Sequence, residues 1–224
     1  MNNQIVKPEE LYARKKRRLL GEAISTATAR HSHGFAAIHE SHKDELITYE
    51  SEGLVVAISG GGSLEQSHTQ CQEARALVGT IVKSGGIIIN GGRPGGIMGA
   101  TTSAAQGKSI GVVFTELKKE IDGTSPVAVV NSPQPRNEIL ATCAPIIVVF
   151  RGGLGTFQVL MRAIVHLKNR EYHTEQPPQL LFVSNYWIGL LNTMMNLGTL
   201  PKEFVTQLHF FNSAADIINT IPQP

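Results

Sequence analysis

The sequence lacks the features that mark secreted disulfide-rich proteins, membrane proteins and strongly charged binding proteins. Its only two cysteines, Cys71 and Cys143, are far apart and lack metal-ligand spacing, so we expect thiols in a reducing compartment. No apolar run approaches the ~18 residues of a membrane span, and no signal peptide is evident. The net charge of +2 is too close to balance to indicate nucleic-acid binding. We therefore expect a cytoplasmic protein without a membrane or nucleic-acid partner.

The sequence is instead rich in short apolar runs that alternate with segments of helical pattern. Because these runs show no polar alternation, they predict strands that are buried on both faces, as in a parallel sheet covered by helices. The fold class predicted for the 224 residues is α/β, doubly wound and mostly parallel, Rossmann-like. The predicted interior strands are residues 54–59, 86–90, 109–114, 127–131, 145–150 and 180–184.

Residues 1–50 differ from the rest and predict a basic helical extension before a nucleotide-binding domain at 51–224. Pro8 is followed by two acidic residues, which resembles a helix start, and residues 14–18 form an Arg-Lys-Lys-Arg-Arg run. A solvated helix face explains this run better than an anion-binding patch. The histidines at 31, 33, 39 and 42 lack a metal-binding motif, so we expect surface polar residues and no metal site.

Glycine clusters follow three of the predicted strands. In open α/β sheets, ligands bind beyond the carboxyl ends of the strands, where helices begin. Glycine allows close approach to the backbone, and a helix N-terminus offers free N–H groups with partial positive charge. The clusters therefore predict a phosphate site. Its predicted contacts are Gly60, Gly61, Gly62, Ser63, Gly91, Gly92, Gly96, Met98, Gly99, Gly152, Gly153, Gly155 and Thr156, the last expected to cap the helix.

None of the clusters matches the two best-known nucleotide motifs. None of the clusters contains the full spacing Gly-x-x-x-x-Gly-Lys-Ser/Thr, which excludes the P-loop pattern. No clean Gly-x-Gly-x-x-Gly is followed by an acidic residue about 20 positions later, so a dinucleotide oxidoreductase is disfavoured. No cofactor is therefore expected.

Two motifs and the arginine between them resemble the LONELY GUY (LOG) family, whose members often carry a lysine decarboxylase label. Residues 89–99, Ile-Asn-Gly-Gly-Arg-Pro-Gly-Gly-Ile-Met-Gly, resemble the family's GGGxxGLMG segment. Residues 151–156, Arg-Gly-Gly-Leu-Gly-Thr, resemble its PGGxGTxxE motif, and Arg136 lies where the family has the arginine of MHxRK. The stretch from Arg136 to Phe182 also resembles the core domain of bacterial nucleotide 5′-monophosphate nucleosidases, which share the second motif. The resemblance covers residues 54–222.

This resemblance implies a ligand, an activity and an assembly. Family members are phosphoribohydrolases, in which water replaces the base of a nucleoside 5′-monophosphate to give free base and ribose 5-phosphate. It implies that the glycine loop at 152–156 holds the phosphate, that Arg136 contacts the nucleotide as a catalytic residue, and that the protein is a homodimer.

The sequence departs from the family at the acid, because the motif's glutamate falls at Val159. Valine cannot exchange protons or stabilise a cationic sugar, and general acid–base help is worth roughly 10²–10⁴-fold. Two hypotheses follow. Glu138 substitutes and the chain is an active hydrolase, although on a helix Glu138 would point about 200° away from Arg136. Alternatively, the chain binds a phosphorylated ligand with hydrolysis lost or weakened, as some relatives of this fold do.

Overall fold

The computed structural model describes residues 34–40, 45–51, 54–116, 127–130, 132–169, 178–201, 204 and 208–221. Nine strands are found in these residues, two of them in a separate hairpin. The strands are β1 (Gly34–Glu40), β2 (Glu45–Ser51), β3 (Val55–Ser59), β4 (Ile87–Asn90), β5 (Ser109–Phe114), β6 (Val127–Val130), β7 (Ile146–Val149), β8 (Gln179–Val183) and β9 (Leu208–Phe211).

Seven of these strands form one sheet in the order β6-β5-β4-β3-β7-β8-β9, and every neighbouring pair is parallel. The expected doubly wound α/β fold is confirmed. The helices are α1 (Thr69–Lys83), α2 (Gly96–Ala104), α3 (Pro133–Thr142), α4 (Leu154–Asn169), α5 (Ile188–Asn196) and α6 (Ala214–Ile218), with a 3₁₀ helix at Asn185–Trp187 before α5.

The sheet separates two apolar cores, which explains why its central strands are apolar throughout. All five residues of β3 are buried, because its side chains point alternately into one core and the other. Helices α3, α4 and α5 cover one face through residues such as Leu140, Leu160 and Leu191. Helices α1, α2 and α6 cover the opposite face.

The order in which strands are added to the sheet changes side at β3, and this change positions the site. From β3 the chain passes to β4, β5 and β6 on one side, and it then returns to β7 on the other side of β3. The carboxyl ends of β3, β4 and β7 therefore lie together at a topological switch point, the usual ligand site of such sheets.

The described part of the N-terminal segment differs from the helical extension expected for residues 1–50. Strands β1 and β2 form an antiparallel hairpin in which Ile38 pairs with Ile47 and Ala36 with Tyr49. The helical expectation was wrong here, because β-branched and aromatic residues such as Phe35, Ile47 and Tyr49 favour strands over helices. The basic run at 14–18 and the histidines at 31, 33 and 42 lie outside the described residues, as does the side chain of His39.

Both cysteines are free thiols within this fold. Burial raises the pKa of Cys143 to about 12, so this group stays protonated at neutral pH. In the described segments, none of the helices is both long and apolar enough to cross a bilayer.

Candidate functional site

A cavity of about 460 Å³ opens at the switch point, between the ends of β3, β4 and β7 and helices α3 and α4. Its volume falls in the range typical of small-molecule sites. Most of the residues predicted from the glycine clusters and the arginine motif line it. They are Gly60, Gly61, Gly62, Ser63, Gly91, Met98, Arg136, Gly153, Gly155 and Thr156.

The third glycine loop presents free backbone donors to this cavity. The first hydrogen bond within α4 is donated by the N–H of Phe157 to the carbonyl of Gly153, at 3.0 Å. The N–H groups of Gly155 and Thr156 precede it, and both residues line the cavity. A Cβ added at Gly153 or Gly155 would meet no atom within 4 Å. The start of α4 is therefore open to an anion rather than filled by its own side chains.

Thr156 does not cap this helix as expected. Helix α4 begins at Leu154, so Thr156 lies inside its first turn. Its side chain is buried and packs against Gly152, where a Cβ would collide with it. Gly152 does not line the cavity. Because it has no side chain, it leaves room for Thr156 to pack against the loop.

A helix start was expected directly after each glycine cluster, but no helix begins at the first glycine loop. Helix α1 starts at Thr69, capped by the Nδ1 of His68, which accepts from the N–H of Gln70 at 3.2 Å. Residues 60–68 form a longer connection instead. Within it, the N–H of Gly61 donates to the carbonyl of Arg151 at 2.8 Å, and its own carbonyl accepts from Ile97 at 2.9 Å. The first loop thus ties the second and third loops together.

The second glycine loop is organised by Asn90, which the sequence analysis did not single out. Its side chain is fully buried; the Oδ1 accepts from the N–H of Gly92, and the Nδ2 donates to the hydroxyls of Thr101 and Thr102. The contacts of this amide thus join the loop to α2. The signal in the sequence was a polar residue at the end of an apolar strand.

Three predicted contacts in the second loop serve the packing of the loops rather than the cavity wall. Gly92 and Gly96 have positive φ values of 68° and 56°, which favour glycine. A Cβ at Gly96 would collide with the carbonyl of Gly61, and one at Gly99 with the carbonyl of Pro94. None of the three lines the cavity.

Arg136 lies in the cavity wall and is held by two backbone carbonyls. Its Nε donates to Val112 at 2.8 Å and its Nη2 donates to Gly91 at 2.9 Å. The ladder between β4 and β5 ends at Asn90 and Gly111. The carbonyl of Gly91 lies beyond that end, and Arg136 satisfies it. Burial, with a smaller contribution from Arg93, lowers the pKa of Arg136 to about 10, which still leaves the guanidinium charged at neutral pH.

The position of the family acid is apolar. Val159 is 2% exposed, belongs to the core cluster beneath α4, and also contributes to the cavity wall. Ile58, Phe114 and Leu140 extend this apolar surface. Among the described residues that line the cavity, none is acidic, whereas Arg93 and Arg136 are both basic.

Glu138, the alternative acid, is committed to other partners. Its carboxylate contacts the Nε of Arg162 and the Nε2 of His166 on α4, and it does not line the cavity. Nearer the cavity, the side chains of Asn137 and Gln158 join α3 to α4 through a hydrogen bond of 3.3 Å. Gln158 is a wall residue that the motifs did not indicate, because glutamine at this position is not part of them.

Comparison with known proteins gives a family and a fold. A family model described as possible lysine decarboxylase matches residues 95–221. None of the curated protein sequences matches the chain significantly.

Solved structures with the same fold are distant in sequence. The molybdenum cofactor binding protein of Rippkaea orientalis is 20% identical, with a TM-score of 0.57 over 75% of this chain and 94% of that one. The molybdenum cofactor carrier protein of Chlamydomonas reinhardtii is also 20% identical, with a TM-score of 0.54 over 75% and 95%. DNA processing protein A of Helicobacter pylori is 17% identical, with a TM-score of 0.52 over 75% and 80%. At these identities the likeness shows the fold alone.

Proposed function

Because this chain belongs to the family described as possible lysine decarboxylase, we propose that its cavity binds a nucleoside 5′-monophosphate or a similar phosphorylated compound, with hydrolysis lost or weakened. The family membership confirms the resemblance to the LOG type. The ligand and the loss of hydrolysis are the proposal.

The observation that carries the proposal is the donor surface at the start of α4. The N–H groups of Gly155 and Thr156 precede the first intrahelical bond at the edge of a nucleotide-sized cavity. Such groups, together with the helix dipole, bind phosphate. The Arg136 guanidinium adds a full positive charge across the cavity, and an anion would offset the cost of holding that charge in a partly buried place.

The same charges argue against lysine as the ligand. The ammonium group of lysine requires a carboxylate or several carbonyl oxygens as partners. The described wall residues include two arginines and no acid, so a cationic substrate would be repelled. Decarboxylation of lysine therefore does not fit the charges of this cavity.

Loss of hydrolysis is supported by Val159 and by the partners of Glu138. Cleavage of an N-glycosidic bond needs a carboxylate near the developing cation or near the attacking water. Val159 occupies the family position for that group, and Glu138 is held by Arg162 and His166 away from the cavity.

The proposal can be tested by calorimetry with AMP, GMP, CMP and UMP, followed by chromatography for free base. We expect at least one nucleotide to bind, adenosine without its phosphate to bind at least tenfold more weakly than AMP, and no base release above the buffer rate. Gly153→Leu should abolish binding, while Gly79→Leu, at another glycine with open surroundings, should not. Base release well above the buffer rate would favour the active phosphoribohydrolase instead.

We also propose that the protein forms a homodimer through the outer face of α4. Leu154 is 82% exposed and Val165 is 41% exposed, and their spacing of about three turns puts them on one face of the helix with Met161 between them. We expect this exposed apolar stripe to be covered by the same face of a second copy of the chain. Sedimentation should give a dimer for the wild type and a monomer for Leu154→Ser/Val165→Ser. A wild-type monomer would contradict this.

A further inference from the structure

The residues that lead into α4 have their backbone polar groups held by the rest of the protein. The N–H of Phe150 donates to Ser59, and its carbonyl accepts from the indole of Trp187 at 3.0 Å. The carbonyl of Arg151 accepts from Gly61, and that of Gly152 accepts from the Tyr186 hydroxyl at 3.3 Å. Three successive carbonyl oxygens are thus directed to protein donors, which leaves N–H groups as the polar atoms facing the cavity.

One buried side chain joins these anchors. Gln70, only 8% exposed, accepts from the N–H of Arg151 through its Oε1 at 3.0 Å. Its Nε2 donates to the hydroxyl of Ser184 at 3.1 Å. Because a backbone N–H can only donate, the orientation of the Gln70 amide is fixed by the Arg151 contact.

Ser184 carries this connection to the aromatic anchors. It has a φ of 72°, rare for a residue other than glycine, and its hydroxyl also accepts from the N–H of Tyr186. The short 3₁₀ helix that follows contains Tyr186 and Trp187, the two side chains that bind carbonyls of the loop. Gln70 therefore contacts the loop directly and, through Ser184, the segment that holds the loop from the other side.

We propose that Gln70 is a positioning residue for anion binding, which fixes the glycine loop so that its carbonyls are turned away from the ligand and its N–H groups toward it. This inference rests on the proposed function, since it assigns how the loop at the start of α4 is kept in a binding shape. Gln70 itself does not line the cavity and does not touch the ligand.

Two substitutions of Gln70 test separately the addition of a charge beneath the loop and the loss of the two hydrogen bonds. In Gln70→Glu the carboxylate can still accept from Arg151, and the Ser184 hydroxyl can donate to it instead of accepting. The geometry is thereby kept, but a negative charge is added beneath the loop. Gln72→Glu is the matched control, because Gln72 lies on the same helix, is exposed, and its side chain donates to the carbonyl of Ser67. Gln70→Met removes both hydrogen bonds without adding charge.

The experiment is a calorimetric measurement of the AMP dissociation constant from pH 5 to pH 8, with melting curves for every protein. Each variant is compared with wild type at the same pH, so that the titration of the AMP phosphate is common to both. His68, whose ring accepts from the N–H of Gln70, is present in every protein compared. We expect Gln70→Glu to bind at least tenfold more weakly at pH 8, with a smaller deficit at pH 5 as the new carboxyl becomes protonated. Gln72→Glu should stay within twofold throughout. Gln70→Met should bind more weakly by a factor independent of pH.

The outcomes are distinguishable. If wild type binds AMP and Gln70→Met binds it equally well at every pH with a preserved melting transition, the positioning role is overturned and the proposed function stands. If wild type does not bind any of the four nucleotides, both are overturned. Weakened affinity of Gln70→Met with a preserved melting transition supports the role. If Gln70→Met does not melt cooperatively, Gln70→Glu decides: equal affinity at every pH means that the loop held by residue 70 does not face the ligand and overturns the inference, and a deficit that shrinks at pH 5 supports it.

Discussion

Arg136 offers the sharpest test of the site, because the structure gives it a role in the empty protein besides the proposed contact with a nucleotide. Its guanidinium donates to the carbonyls of Val112 and Gly91, and each charge-assisted bond is worth about 1.5–3 kcal/mol. Lysine has a single nitrogen in place of the two guanidinium nitrogens that reach these carbonyls, so we expect it to keep one of the two contacts. We therefore expect Arg136→Lys to lose about 1.5–3 kcal/mol of unfolding free energy.

Arg136→Met should cost about 2–4 kcal/mol, because it loses both bonds but also removes a charge that is expensive to bury. For a chain of this size, each kcal/mol lowers the melting temperature by about 2–4 °C. Differential scanning calorimetry without ligand is the assay. Arg162→Lys, at a partly exposed ion pair with Glu138, is the control and should cost no more than about 1 kcal/mol. A wild-type melting temperature for Arg136→Met would refute the argument, since a residue that only bound the ligand would leave the empty protein unchanged.

Three further predictions concern Val159 in the cavity wall and two residues behind it, Gly152 and Glu138. Val159→Glu restores the family acid, so base release from AMP should rise by roughly 10²–10⁴-fold; unchanged release with AMP still bound would count against Val159 as the cause of lost hydrolysis. Gly152→Ala should lower stability in urea by about 1–3 kcal/mol, because its Cβ would collide with Thr156, whereas Gly153→Ala should stay within about 0.5 kcal/mol. Glu138→Gln should cost at most about 1 kcal/mol and leave the AMP affinity unchanged; lost affinity would mean that Glu138 reaches the ligand.

The sheet was readable from the sequence because its strands are buried on both faces. An uninterrupted apolar run such as residues 145–150 has few alternatives to a central parallel strand, and β7 spans Ile146–Val149. The start of α1 was not readable, because its cap is His68, a residue outside the usual capping set. The hairpin β1–β2 was missed because charge and histidine content outweighed β propensity in the interpretation.

For the site, the glycine motifs indicated the loops that meet at the cavity but not the contacts that each residue makes. Gly61 and Gly153 belong to similar clusters. The N–H of Gly61 is bonded to the carbonyl of Arg151, whereas Gly153 lines the cavity with open space around its Cα. Which N–H remains free depends on contacts between segments far apart in the chain. The same reason hides Gln70, whose partners Arg151 and Ser184 are 81 and 114 positions away.

Because strands are added first on one side of β3 and then on the other, the pocket forms from two separate parts of the chain. One wall is built by the stretch that ends with β5, and the facing wall, including the start of α4, by the stretch that begins with α3. Neither stretch contains a complete pocket, so the pocket exists only once β7 has docked against β3. A compound held there joins early and late parts of the polypeptide and acts as a non-covalent staple between them.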